Sequence, residues 1–134
     1  EAYTGYAEDL AEIITLVYSD ESFTFFSGNL RRDTLPEMLS ENEITFNEIK
    51  VYDTTLTPQK ISEKVDGILF FSPSAVTSYL KKNTLTNEKL FCIGNTTADS
   101  LRAVLSETKI KNIKTAYQPS VDNVIEQVIE YYNK

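Results

Sequence analysis

Residues 66–78 read DGILFFSPSAVTS, and this stretch decides the fold of the chain. The apolar run Ile68–Phe71 follows Gly67 without alternating, which is typical of a strand covered on both faces, as in a parallel sheet. Ser72 suits the N-cap of a helix, and Pro73 suits its first position because no free N–H is needed there. We therefore predict a buried strand that turns directly into a helix, at the edge of an open α/β sheet where ligands bind.

The same order of strand, small polar turn and helix recurs along the chain. Further strands are predicted at Phe23–Phe26, Ile44–Tyr52, Leu90–Ile93 and Ile110–Ala116. Helical spacing marks Tyr6–Tyr18, the segment from Leu30 or as late as Thr34 to Leu39, the segment after Gly94 to Leu105, and Val121–Ile129, for which Pro119-Ser120 is the predicted cap. Gln59–Val65 is a short helix at best. This alternation predicts an α/β fold with a doubly wound parallel sheet.

Composition excludes several classes of function. The 134 residues suit one domain or two small lobes, and a net charge of −7 argues against non-specific binding to nucleic acid or to an anionic membrane. Histidine is absent, which removes the commonest general base and metal ligand. The single cysteine, Cys92, lies in an apolar run and reads as a small buried hydrophobe, so a reducing, cytoplasmic setting is expected. No apolar run approaches the ~20 residues that span a bilayer.

Small polar residues follow three of the predicted strands, at 27–29, 72–74 and 94–97. One such turn is explained by the N-cap that every helix needs. Three turns at the same edge of a sheet favour an anion site, because helix N-termini present free N–H groups there. None of them matches a phosphate-loop or dinucleotide fingerprint.

A polar segment, Asp53–Pro58, is the candidate linker or hinge. Tyr52 closes a strand just before it and is the only phenol beside a predicted cleft edge, although a tyrosine taken alone is more often a packing residue. Arg31 and Arg32 fall near a predicted helix start, where basic residues oppose the helix dipole. They are either a solvated helix start or a means of holding an anionic ligand.

Four motifs together resemble the uroporphyrinogen-III synthase family of tetrapyrrole biosynthesis, in the family's order and over the chain from about Phe23 to its end. They are FSGNLRR at 26–32 followed by Leu35-Pro36, VYDT at 51–54, FFSPSAV at 70–76 and IGNTTA at 93–98. Each motif is weak alone, and the set is fairly specific. Asn95 departs from the family's usual proline.

The resemblance implies two flavodoxin-like lobes joined by a hinge, with the active site in the cleft between them. Residues 1–52 would be the back part of the middle lobe, residues 53–58 the hinge, and residues 59–134 part of the lobe built from both chain ends. We therefore expect a carboxyl-terminal portion of the family fold. The two parts could pack as one α/β domain, stay separate or exchange elements in a dimer, and the sequence does not decide between these arrangements. The full-length family member is expected to be a monomer.

The implied reaction converts linear hydroxymethylbilane to uroporphyrinogen III, with loss of water and inversion of the last pyrrole ring, and needs no metal or organic cofactor. By resemblance, Tyr52 would be the catalytic residue that helps the hydroxyl depart. The residues that would bind the substrate's carboxylates are Ser27, Gly28, Asn29, Ser72, Ser74, Thr96 and Thr97.

The isolated chain is expected to be inactive or feeble, because one wall of the cleft would be incomplete. The alternative is a non-catalytic domain of flavodoxin-like fold that binds small anions or a partner.

Overall fold

The computed structural model describes residues 4–133, in which strands and helices alternate as the sequence predicts. The strands are β1 (Ser22–Gly28), β2 (Thr45–Tyr52), β3 (Gly67–Phe70), β4 (Lys89–Cys92) and β5 (Ile113–Thr115). The helices are α1 (Ala7–Val17), α2 (Thr34–Glu41), α3 (Pro73–Leu80), α4 (Asn95–Arg102), α5 (Glu107–Ile110) and α6 (Val121–Tyr132). The α/β class is confirmed.

The chain divides into two compact units, of which one ends at Thr55 and the other begins at Leu56. The first unit contains a sheet of β1 and β2, and the second contains a sheet in the order β3-β4-β5. Every strand pair described is parallel, as predicted. Among residues 4–133, no helix is long and apolar enough to cross a membrane.

Helices cover both faces of the three-stranded sheet in the second unit. On one face, Leu90 and Cys92 of β4 pack in a core with Val76 of α3 and Leu101 of α4. On the other face, Phe91 packs against Val124 of α6. The alternation of β4 side chains between two helical layers is what makes this unit doubly wound.

The covering of β3 differs from the prediction. Leu69 of β3 is 38% exposed, and Phe71, just after the strand, is 42% exposed. The expected burial of this strand on both faces is therefore wrong. Ile68 and Phe70 pack in the core with α3 and α4, whereas the opposite face, which carries Leu69, is only partly covered at this edge strand. A cavity of about 260 Å³ lies there, lined in part by Leu69, Val128 and Tyr132.

The sheet of the first unit is covered on one face. Helices α1 and α2 pack on it through a core cluster of Ala11, Ile14, Leu35, Leu39 and Ile44. On the opposite face, the register pairs Phe26 with Ile49, and both side chains are exposed. This unit therefore presents an apolar sheet face that none of its own described helices covers.

Two predicted helix caps are confirmed by hydrogen bonds, and two short segments differ from the expectation. Ser72 and Ser120 cap α3 and α6 by accepting hydrogen bonds from backbone N–H groups three residues on. The single turn α5 was not predicted, and no helix forms over Gln59–Val65. The side chain of buried Asn83 explains that extended segment, since it donates to the Gln59 carbonyl at 2.7 Å and accepts from the Ile61 N–H at 2.8 Å.

Candidate functional site

In the second unit, the turn between β3 and α3 carries two of the predicted binding residues. The Ser72 hydroxyl accepts a hydrogen bond from Ala75 N–H at 3.1 Å and lies 3.0 Å from the Ser74 hydroxyl. Both serines are half-buried. Because one oxygen of this pair serves as the cap, the remaining hydroxyl and the first N–H groups of α3 are the groups left to meet a ligand.

The turn between β4 and α4 lies at the same edge of the same sheet. Phe70 pairs with Cys92 at the carboxyl ends of the two parallel strands, and Ile93 N–H donates to the Phe70 carbonyl at 3.1 Å. Thr96 is half-buried, whereas Thr97 is only 2% exposed. The structure therefore brings these two turns to one edge, with Thr97 turned largely into the protein. The third predicted turn, at 27–29, follows a strand of the other sheet, so the prediction of three turns at the edge of one sheet is wrong.

In the first unit, the turn after β1 meets the end of β2. Gly28 lies opposite Tyr52 in the strand register, and the Tyr52 side chain is 60% exposed. The Asn29 amide is hydrogen-bonded to the backbone of Thr54 on the next segment. Gly28, Asn29 and Tyr52 are thus neighbours, and Tyr52 stands at the surface where a ligand can reach it.

The same turn contains a hydrogen-bonded ion-pair network centred on Glu48, a residue that sequence reasoning missed. Buried Ser27 donates its hydroxyl to the Glu48 carboxylate at 2.8 Å. Arg31 binds that carboxylate through both Nε and Nη2, and it also contacts Asp33. The sequence did contain a sign of this network, since Asn47 and Glu48 interrupt the alternating apolar pattern of the predicted strand Ile44–Tyr52. In the structure, Glu48 occupies an inward position of that strand and is paired with Phe25.

This network decides what Arg31 and Ser27 can offer a ligand. Hydrogen bonds from Arg31 first, and then from Ser27, hold the pKa of Glu48 below its ordinary value. The same carboxylates raise the pKa of Arg31. The Arg31 charge is therefore engaged by two carboxylates, and the Ser27 hydroxyl proton is already donated, so neither side chain is free to hold an anion in this arrangement.

We expect the stability of the first unit to depend on pH through Glu48. Because its folded pKa lies below the ordinary value, its stabilising contribution is present above pH 4.5 and is lost as the pH falls through the folded pKa. Glu48→Gln should therefore lower the urea midpoint of the first unit at neutral pH, and the difference from wild type should shrink in acid. Unfolding followed by NMR signals of β1 and β2 measures this.

The matched control is Glu41→Gln, which changes an exposed carboxylate at the end of α2 that makes no ion pair with any described residue. Its urea midpoint should follow that of wild type at every pH. An equal shift in both variants would remove the special role of Glu48.

Cys92 is buried and unpaired, and desolvation raises the pKa of its thiol to about 11. A thiol with such a pKa is protonated at neutral pH and is a poor nucleophile. We expect Cys92 to react with a thiol reagent such as 5,5′-dithiobis(2-nitrobenzoate) only when urea unfolds the second unit. Rapid modification of the native protein would contradict the burial of this residue.

Among residues 4–133, no group of three or more cysteine, aspartate or glutamate side chains is placed to hold a metal ion. The predicted site residues form two groups, each within its own unit. Ser27, Gly28, Asn29 and Tyr52 lie in the first, and Ser72, Ser74, Thr96 and Thr97 lie in the second. Each group combines a strand end with small polar residues and backbone donors, an arrangement suited to binding carboxylates.

Comparison with known proteins places these features in a family. The family model described as uroporphyrinogen-III synthase HemD matches residues 1–126. The crystal structure of uroporphyrinogen-III synthetase from Helicobacter pylori 26695 is similar in fold, with a TM-score of 0.64 and 23% sequence identity. The match covers 91% of this chain and 59% of that one, so the chain spans little more than half of the relative's length. No curated protein sequence matches the chain.

Proposed function

Because the chain belongs to the uroporphyrinogen-III synthase family, we propose that it takes part in converting hydroxymethylbilane to uroporphyrinogen III. The observation that carries this proposal is the family match over residues 1–126. The reaction removes the terminal hydroxyl as water and closes the ring through a spiro intermediate that inverts the last pyrrole. The non-catalytic alternative is not favoured, since the matching family is one of cyclising enzymes.

Tyr52 is the proposed catalytic residue. Its phenol would donate a hydrogen bond to the departing hydroxyl, and its 60% exposure supports access by a substrate. The chain has no histidine and its one thiol is buried, so a phenol is a reasonable choice of acid. The pyrroles supply most of the reactivity, and the protein mainly holds the reactive ends close together.

Backbone N–H groups are the proposed ligands for the substrate's acetate and propionate groups. The first turns of α3 and α4 supply them in the second unit, together with Ser72, Ser74, Thr96 and Thr97. The turn at Gly28 in the first unit is a weaker candidate, because its Asn29 and Arg31 N–H groups already donate to the carbonyls of Tyr52 and Gly28. Helix N-termini attract carboxylates without a cationic side chain, which suits a chain of net charge −7. Long-range repulsion of a polyanion remains a cost of that charge.

We also propose that the described residues form part of the catalytic protein. The relative has 41% of its chain outside the match, and two apolar surfaces here, on β3 and on the first sheet, are not covered by the described elements of their own units. Residues 1–52 and 59–134 would then belong to different lobes, with 53–58 as the hinge. Three expectations stay predictions. They are a cytoplasmic location, a monomeric state of the complete protein, and a tendency of the partial chain to dimerise.

An isomer-resolved assay tests the proposed function. Hydroxymethylbilane is incubated with this chain, and with a chimera in which the unmatched part of the Helicobacter pylori protein precedes residue 1. We expect uroporphyrinogen III from the chimera, and little above the spontaneous type I isomer from the chain alone. Ordinary turnover by the chain alone would show that it needs no further part, whereas type I product from both would contradict the proposed function.

A further inference from the structure

The Tyr52 ring lies directly on the backbone of Gly28. A Cβ atom placed on Gly28 would lie 2.9 Å from Tyr52 Cδ2 and closer still to two other ring atoms. Gly28 does not have a positive φ, so its backbone conformation is open to other residues. The structure therefore needs glycine here because the ring approaches closely, and the α proton that a side chain would replace points at the ring.

A bulge in β2 determines which face of the sheet carries Tyr52. The register pairs Ser27 with Lys50 and then Gly28 with Tyr52, so Val51 has no partner. Uninterrupted alternation would place Tyr52 on the inner face, two residues after Lys50. The extra residue moves Tyr52 to the open face, on the side of Phe26 and Ile49, and bulges commonly re-aim a side chain in this way.

Asn29 holds the backbone at Tyr52 and two residues after it, at Thr54. Its N–H donates to the Tyr52 carbonyl at 3.3 Å. Its side-chain amide donates to the Thr54 carbonyl at 3.1 Å and accepts from the Thr54 N–H at 2.7 Å. These contacts use both ends of the amide, so the side chain has a fixed orientation and is occupied by the protein.

We propose that Asn29 is a positioning residue, which with Gly28 and the bulge at Val51 fixes the Tyr52 phenol on the open face of the sheet. This departs from the carboxylate-binding role that the sequence predicts for Asn29. The catalytic consequence rests on the proposed function, whereas the orientation of the ring does not. The two parts are therefore tested separately.

The first test is NMR of the chain and needs no activity. A proton above an aromatic ring resonates upfield, so one Gly28 α proton should be shifted upfield in wild type and unshifted in Tyr52→Leu. Asn29→Ala should reduce the shift. Asn29→Asp should give a shift between those of Asn29→Ala and wild type, because one carboxylate oxygen can still accept from Thr54 N–H. Asn47→Ala is the matched control, since the side chain of this exposed asparagine on β2 makes no described hydrogen bond, and it should keep the full shift.

The second test compares kcat and KM in the chimera. If Asn29 positions Tyr52, Asn29→Ala should lower kcat about 10- to 100-fold with KM little changed, since misplacement by about 1 Å can cost that much. Gly28→Ala should act likewise while leaving the Asn29 hydrogen bonds intact, because the new methyl group displaces the Tyr52 ring, whereas Asn29 contacts only the backbone of Tyr52 and Thr54.

A rise in KM at constant kcat in Asn29→Ala would instead show substrate binding and overturn the proposal. An unchanged Gly28 shift in Asn29→Ala would also overturn it. If the wild-type chimera makes no type III isomer, the proposed function fails, and the NMR result still decides whether Asn29 orients the ring.

Discussion

Replacing Phe91 with alanine is expected to lower the free energy of unfolding of the second unit by about 3–5 kcal/mol. Phe91 is fully buried on the central strand β4, and its ring contacts the rings of Tyr131 and Tyr132 at centroid distances of 5.9 and 6.2 Å. This β4 side chain packs against α6 in a core cluster with Val124. Truncation leaves a cavity that a sheet fixed between two helical layers cannot collapse to fill.

Phe71→Ala is the matched control, because this phenylalanine lies in the same unit, just after an edge strand, and is 42% exposed. It should cost clearly less, since water already reaches part of the ring. Urea unfolding followed by circular dichroism gives both values. Similar losses in the two variants would mean that the β4 layer is not the principal core of this unit.

Local chemistry explains why much of this fold could be predicted from sequence. Ser72 and Ser120 cap helices in the structure as their sequence positions indicate, because a cap depends on residues only three positions apart. The apolar run in β4 is buried on both faces, as a continuous run predicts. The equally apolar β3 is not, because its exposure depends on how far a helical layer extends over the edge of the sheet, and the residues themselves do not carry that information.

The candidate site was harder to predict because its contacts are long-range. Glu48 acts through Ser27 and Arg31, which are 21 and 17 positions away, so a strand pattern shows only an interruption. The bulge at Val51 depends on pairing with β1, and it moves Tyr52 to the opposite face from the one that alternation predicts. The family motifs indicated which residues matter, whereas the structure shows that Ser27 and Asn29 are engaged within the protein.

Tyr52→Phe is expected to lower kcat of the chimera by about 10²- to 10⁴-fold, the usual contribution of a positioned acid. The change removes only the hydroxyl, so the ring should stay on Gly28 and the fold should be unaltered. The isomer-resolved assay measures the enzymatic rate above spontaneous closure to the type I product.

Tyr117→Phe is the matched control for Tyr52→Phe, since it removes a hydroxyl from a tyrosine that is 81% exposed and lies outside the proposed site. The Gly28 α-proton shift distinguishes chemistry from positioning in these variants. A large loss of kcat with that shift preserved would assign the loss to the phenolic hydroxyl itself, because the ring would still occupy its place. An unchanged rate would remove the phenol from the mechanism while leaving the family assignment intact, since that rests on the match over residues 1–126.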